Sequence, residues 1–533
     1  MNSQTNLQED TASASPRSLR MLFWAVLGIA LVLPLWVVKY PPLIDYPDHL
    51  ARAYILHHLH DSNQLFGQWY SSDWGANPYL VADFLLQAFQ VPFGIYIAGK
   101  IVLTICVAGL PLATWLFLKK ASPGNEYLAL WSLVVSYHIN FLMAFLSFEL
   151  SIVLCFLVVA LWLHWLDSPK PASWLRLMAL VTLLYFTHLG GFAVAGLILT
   201  LYTLLKLRSV SQLWKSWPLF LPGATFSVYM RMHSWSKRGF DYHTWNLSNK
   251  VMALTTPLRG YSHLVDAVTI LVLMAAIFFA IYKNPDWSYR SVWVLITLAI
   301  LSVHWILPDR MGDLASIDTR FPPFAFLTAL AIPSFGKRKN LVIASALAVF
   351  VLRTANISQH FLAEQKRLQA YAAGIAATPE HSVVLAFNPA EGGAWVKRSE
   401  LHFWAYGIIE KGWVSPTIFH QKGVQPIVLE KSIYLGENGD GGYDTSKALD
   451  WDRVHQDYDL IWAYGVPELE PALSSISRID YSAGKLDIYK IRKNVEAPRS
   501  ADDPAHGDES PLNATATFVN RAIERTPPRA ASQ

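Results

Sequence analysis

The sequence predicts a polytopic α-helical membrane protein of about eleven spans followed by a C-terminal soluble α/β domain. Three observations predict it. The 533-residue chain is 53% hydrophobic and only 15% charged, whereas soluble domains carry roughly a quarter charged residues. Its apolar residues gather into blocks of roughly 17–20, about the length that crosses hydrocarbon. After about residue 378 the blocks stop, and short strand-like and helix-like patterns alternate with turn residues.

The expected spans are 21–38, 101–118, 127–144, 147–166, 173–188, 190–207, 217–234, 264–283, 290–307, 320–335 and 340–355. The first is too long for a signal-peptide core, and no small-residue cleavage site follows it, so it reads as a retained helix. The segment 80–92 is short, holds Asp83, Gln87 and Gln90, and runs into Pro92. It reads as a helix lying at the interface. Positive charge sets the orientation. With the N-terminus cytoplasmic, the inner loops hold Arg17, Arg20, Lys119, Lys120, Lys170, Arg176, Lys206, Arg208, Lys215, Lys283, Arg290, Lys337, Arg338 and Lys339. The other short loops are poor in Lys and Arg. An odd number of spans leaves the C-terminal region outside. Residues 1–19 then form a cytoplasmic tail that is disordered, 20–356 a membrane domain with a large first outer loop at 39–100, and 357–493 an outer α/β domain. The last stretch, 494–533, is rich in Pro, Ala, Ser, Asp and Arg and reads as a disordered tail.

In the outer domain, 382–387, 432–435, 459–465 and the hairpin 477–491, turning at Ala483–Gly484, read as strands. Residues 399–412, 446–456 and 467–476 read as helices. The two cysteines, Cys106 and Cys155, lie inside apolar blocks, which excludes a disulfide framework and a cysteine metal cluster. No nucleic-acid partner is expected; the partners are membrane lipids and what they carry.

The stretch "YPPLIDYPDHLAR" (40–52) follows the first span directly. Pro41 and Pro42 cannot extend that helix. Pro47 suits the first turn of a new one, and Asp48 suits its positive end. A second acid–base cluster, "LPDRMGDLASIDTRFPP" (307–323), precedes a late span. There Arg320 enters the membrane boundary, where an ionisable residue is costly unless it is paired or functional. An enzyme acting on a lipid phosphate needs this division of labour. A carboxylate takes a proton from an acceptor hydroxyl, and a guanidinium holds the phosphate.

The layout resembles the GT-C superfamily of integral-membrane glycosyltransferases, which use polyprenyl-phosphate-linked sugars. The likeness lies in a first span, an outer loop opening on an acidic motif, many further spans, a late Arg-bearing outer loop and an outer α/β domain. The pieces "FLMAFLSFEL" (141–150), "LLYFTHLGGF" (183–192) and "DTRFPPF" (318–324) look like those of bacterial membrane proteins grouped there. As architecture the resemblance spans roughly 20–490. It implies an inverting-type hexosyl or pentosyl transferase in a bacterial inner membrane, with a polyprenyl-phosphate sugar as donor and a glycan or lipid as acceptor on the periplasmic face. It also implies that Asp45 or Asp48 is the catalytic base or organises a metal, and that Arg320, helped by Arg310, binds the donor phosphate. The D-Y-P-D spacing departs from the adjacent or two-apart acids common in the family. Asp45 is favoured as base because it lies nearest the span end, with Asp48 partly engaged in capping.

His49, Arg52, Glu149, His188 and Asp318 are further candidate contacts to substrate or metal. No cofactor is assigned, although Asp45 and Asp48 could hold a divalent cation, since hard cations prefer oxygen. His57 and His60 could share a metal if both lay on one helix. His138 and Asn140 read as hydrogen-bond partners between helices, "SKRGFDYH" (236–243) as a solvated loop, and "GENGDGGYD" (436–444) as a plain loop. With no soluble nucleotide-sugar fold and the acidic loop outside, a nucleotide-sugar donor is not expected. The competing readings are a lipid-linked glycan transporter or flippase, and a non-catalytic subunit for envelope-polysaccharide assembly.

Overall fold

The computed structural model describes residues 16–233, 243–311, 316–388, 398–420, 423–434 and 449–493. Among these, five helices are long and apolar enough to cross a membrane: Ile95–Ala121, Leu146–Asp167, Leu189–Leu207, His263–Ile281 and Gly336–Ala377. Shorter apolar helices occupy Leu22–Trp36, Leu80–Phe93, Pro171–Thr187 and Ser291–Ile306. The chain is thus built as a multi-pass membrane protein, with Leu146–Asp167 the most enclosed of the five.

Three of the eleven expected spans are not single helices. The stretch 127–144 breaks into Glu126–Ala129, Leu130–Val134 and Ile139–Leu142. Its polar residues explain the break. Ser136 donates to the carbonyl of Val107, the Tyr137 hydroxyl to that of Leu31, and the Asn140 amide to that of Thr319. Nearly every residue of the stretch is buried, which is where non-helical backbone at membrane depth is tolerated. The stretch 217–234 divides into a 3₁₀ turn, Trp217–Phe220, and the helix Leu221–His233. In 320–335 the helix Phe321–Ala329 stops after nine residues.

The last expected span is part of a 39-residue helix, Lys339–Ala377, about 58 Å long at 1.5 Å per residue. It runs unbroken through the boundary drawn at 356–357. At its far end it carries a four-stranded sheet. Val384–Phe387 lies parallel to Leu460–Tyr464, which pairs antiparallel with Leu486–Ile491, and that strand pairs with Ser477–Ala483. Strand alternation sorts the side chains. Val384, Ala386, Leu460, Trp462, Leu486 and Ile488 join the main core alongside Tyr371 and Ile375 of the long helix. Leu385, Phe387, Ile461, Tyr489 and Ile491 face a smaller core with the helices Trp451–Asp457 and Glu470–Ile476. The hairpin turns one residue later than expected, at Gly484–Lys485, where Gly484 takes φ +65°. No strand forms at 432–434, and residue 435 lies outside the described residues. So do 236–242, 389–397, 421–422, 436–448 and the tails 1–15 and 494–533.

The C-terminal region is clamped onto the first loop. Tyr70–Ser72 pairs antiparallel with Ile427–Leu429. The Tyr70 hydroxyl donates to the carbonyl of Ser415 and accepts from its N–H. Gln365, on the long helix, accepts from the backbone N–H groups of Lys39 and Tyr40 and donates to the Tyr40 carbonyl. The chain leaving the first span is therefore tied at once to the helix that carries the sheet.

Candidate active site

The stretch after the first span folds as the turn-plus-helix its prolines require. Ile44 and Asp45 donate backbone N–H groups to the carbonyls of Leu142 and Met143, and the helix Tyr46–His57 begins with a proline in its first turn. It packs closely on Ile95–Ala121, where a Cβ added at Gly99 would collide with the Tyr46 hydroxyl. Asp45 stands at the N-cap but makes no side-chain capping bond. Asp48 does not cap either. Its carboxylate accepts the N–H of Phe419, at 3.3 and 3.4 Å to its two oxygens.

Arg52 lies one turn further on. It makes a two-pronged ion pair with Asp83 of Leu80–Phe93, at 2.9 and 3.1 Å, and both side chains are almost fully buried. The same Nη2 that bonds Asp83 also contacts the Nδ1 of His49 at 2.9 Å. That Nδ1 must therefore accept, and the ring donates its other N–H to the Ala144 carbonyl. Burial and the Arg52 charge hold His49 neutral, well below the ordinary histidine range. Removing one partner of a buried pair strands the other, which costs about 3–5 kcal/mol. Asp83→Ala is accordingly expected to lower the melting temperature of the detergent-purified protein by several degrees. A melt matching wild type would show that Arg52 is solvated in place.

The acids differ in access. The Asp45 side chain is 16% exposed and that of Asp48 is sealed. Burial raises Asp45 to about 7, with the nearby charges of Arg52 and Arg320 pulling it back down. Asp48 is pushed well above the carboxylate range, first by burial, with Arg52 opposing and Asp45 adding repulsion.

Arg320 occupies the N-cap position of Phe321–Ala329 without a side-chain capping bond, and its guanidinium lies over the Phe145 ring at 5.4 Å. The backbone leading to it is buttressed. His304 contacts the carbonyls of Asp318 and Lys250 through its two ring nitrogens, and Lys250 donates to the carbonyls of His304 and Leu307. Asp318 accepts the N–H of Thr319, so it holds this loop together. Arg310 is exposed and sits on a two-stranded ladder opposite Thr244. His188 caps Leu189–Tyr202 by accepting the N–H of Gly190, and its ring meets Tyr79 and Phe148 edge-on. Glu149 faces His138 at 3.2 Å, both buried. Tyr79, Ala144 and Ser316, beside these groups, have φ of +78°, +62° and +54°. Non-glycine residues held in that region cluster at functional sites.

His402 is a site residue that sequence reasoning misses. Its Nε2 lies 3.6 Å from Asp45 and its Nδ1 3.9 Å from Asp48. The only local signal is a histidine in "SELHFW", and a lone histidine is not distinctive. Opposite nitrogens face the two acids, so one cation ligated by the ring cannot also bridge both carboxylates. No group of three or more His, Cys, Asp or Glu among the described residues has a metal-holding arrangement, so Asp45, Asp48 and His402 do not form a three-ligand cation site. Nor do His57 and His60 share a helix, since it ends at His57.

The fold has a counterpart among solved structures. ArnT from Cupriavidus metallidurans matches in the apo state, with a TM-score of 0.55 over 90% of this chain and 99% of ArnT. The same protein bound to undecaprenyl phosphate matches with a TM-score of 0.54 over 89% and 98%. The chain has the GT-C fold. Identity is 10% in both cases, so the GT-C likeness is one of fold. No protein-family model matches the sequence, and no curated protein matches it. Within the GT-C fold the site draws on the first loop, the broken stretch 127–144, the Arg320 loop and the C-terminal region.

Proposed function

We propose that this chain is a membrane glycosyltransferase of a bacterial inner membrane, moving a sugar from a polyprenyl-phosphate-linked donor to an acceptor hydroxyl on the periplasmic face. One observation carries the reading: within the GT-C fold, a partly accessible carboxylate, Asp45, stands within electrostatic reach of Arg320. The undecaprenyl phosphate seen in ArnT supports a polyprenyl phosphate as the lipid. The acceptor oxygen forms a bond to the sugar's anomeric carbon as the bond from that carbon to the phosphate oxygen breaks. The electron pair leaves on the phosphate, which Arg320 neutralises, and the hydroxyl proton passes to Asp45. Attack opposite the leaving group inverts the anomeric centre. The N-terminus is cytoplasmic, and the sheet-bearing region lies with the site on the outer side.

The test compares envelope glycans of wild-type and deletion strains by mass spectrometry, then assays the purified chain in nanodiscs with polyprenyl-phosphate hexoses and pentoses. A defined sugar lost on deletion is the expected result. Loss of that sugar with lipid-linked precursors trapped on the inner face, and no transfer by the purified chain, would instead favour the transporter reading. The pH profile follows from Asp45. The base works as a carboxylate, so the rate rises with pH, about tenfold per unit well below its pKa, and levels off above it. With Asp45 at about 7, the bend is expected near neutrality. A profile flat from acid to neutral pH would remove Asp45 from the role.

A further inference from the structure

His402 belongs to the C-terminal region, more than 350 positions from the acids it faces, and nothing in the transfer step above uses it. Its ring is held edge-on by Phe419, with centroids 5.0 Å apart, and the backbone N–H of that same Phe419 holds Asp48. One segment thus fixes both the imidazole and the sealed acid. The Nδ1 of His402 is buried and makes no hydrogen bond of ordinary length, a costly state for a buried polar atom. Its nearest acid is Asp48.

We infer that His402 is a positioning residue that divides the labour of the two acids, accepting a hydrogen bond at Nδ1 from a protonated Asp48 and donating its Nε2–H to an ionised Asp45. A neutral imidazole has one N–H and one acceptor nitrogen, so this arrangement uses both. The reverse tautomer would aim its N–H at the sealed acid and a lone pair at the accessible one. That would leave the accessible carboxylate without a donor. The separations of 3.6 and 3.9 Å are electrostatic contacts, and side-chain rotations that close each by about 1 Å turn them into hydrogen bonds.

The surrounding charges agree. Arg52 faces both acids, Arg320 favours charge on Asp45, and Asp83 and Asp45 both oppose charge on Asp48. Burial, then the charge of Arg398, lowers His402 to about 4, so the ring is neutral near pH 7. His49 is held neutral beside Arg52. Two carboxylates this close resist ionising together, and the sealed one is the one to keep its proton. The proton positions do not depend on the transferase reading; only the task given to Asp45 does.

The test is infrared titration of the full chain in nanodiscs, following the carboxyl C=O band from about pH 5 to about pH 9. Difference spectra against Asp45→Asn and Asp48→Asn assign the bands. A band lost in Asp48→Asn is expected to persist across the range, and one lost in Asp45→Asn is expected to titrate within it. His402→Phe keeps the ring and removes both nitrogens. It is expected to move the Asp45 midpoint up by about one unit, the effect of losing one hydrogen bond to a charged group. His402→Gln, which keeps a donor near Nε2, restores most of the shift. An Asp45 midpoint unmoved in His402→Phe overturns the inference, as does a spectrum unchanged in Asp48→Asn. Transfer assays on the same proteins read the other question. If wild type transfers no sugar while the spectra behave as described, the transferase reading fails and the proton arrangement stands.

Discussion

Asp45→Asn is expected to abolish sugar transfer while leaving the protein as stable as wild type. General-base catalysis contributes about 10²–10⁴-fold, and an amide of the same shape cannot take the proton. Stability is spared because the Asp45 side chain makes no capping hydrogen bond and the substitution removes a charge that burial already disfavours. Wild-type-like folding with lost turnover separates this outcome from a structural defect. The measurement is turnover with a polyprenyl-phosphate sugar at saturating donor, alongside a thermal melt. Retention of more than about a tenth of the rate would remove Asp45 as the base.

Much of this architecture is legible in the sequence because membrane spans and prolines speak locally. The apolar blocks at 101–118 and 147–166 appear as Ile95–Ala121 and Leu146–Asp167. The hairpin at 477–491 forms with its turn one residue away. What the sequence hides is set by burial and by distance along the chain. Hydropathy alone does not distinguish 127–144 from a span. Ser136, Tyr137 and Asn140 find backbone carbonyls on other segments only after the bundle assembles. The expectation that Asp48 caps its own helix fails for the same reason, because its partner is the N–H of Phe419. In the site, Asp45, Arg52 and Arg320 stand out because charge beside apolar spans is rare. His402 does not stand out, since one histidine in a soluble stretch carries no such signal.

The C-terminal region therefore does more than sit beside the membrane helices. Its near sheet face shares the main core with Tyr371 and Ile375, and Tyr70–Ser72 ties it to the first loop. With His402 and Phe419 placed against Asp45 and Asp48, the acid site is complete only when both parts of the chain are docked.

Arg320→Ala is expected to cost about 10²–10³-fold in turnover, the range for removing one preorganised group that stabilises charge as it develops. The phosphate gains charge as the sugar leaves, so the guanidinium matters most in the transition state. The loss then falls on kcat and kcat/KM together, more than on KM alone. Arg320→Lys tests geometry against charge. A lysine keeps the charge but loses the planar fork that meets two phosphate oxygens, and it stacks less well over Phe145, where the guanidinium now lies. Partial recovery, between Ala and wild type, is expected. The loop itself is anchored by Lys250 and His304 through backbone carbonyls, so neither variant should disturb the fold. If Arg320→Ala raised KM and left kcat untouched, Arg320 would bind the donor without stabilising the departing phosphate. If neither constant moved, the phosphate would be held elsewhere, and the pairing of Asp45 with Arg320 would no longer carry the transferase reading.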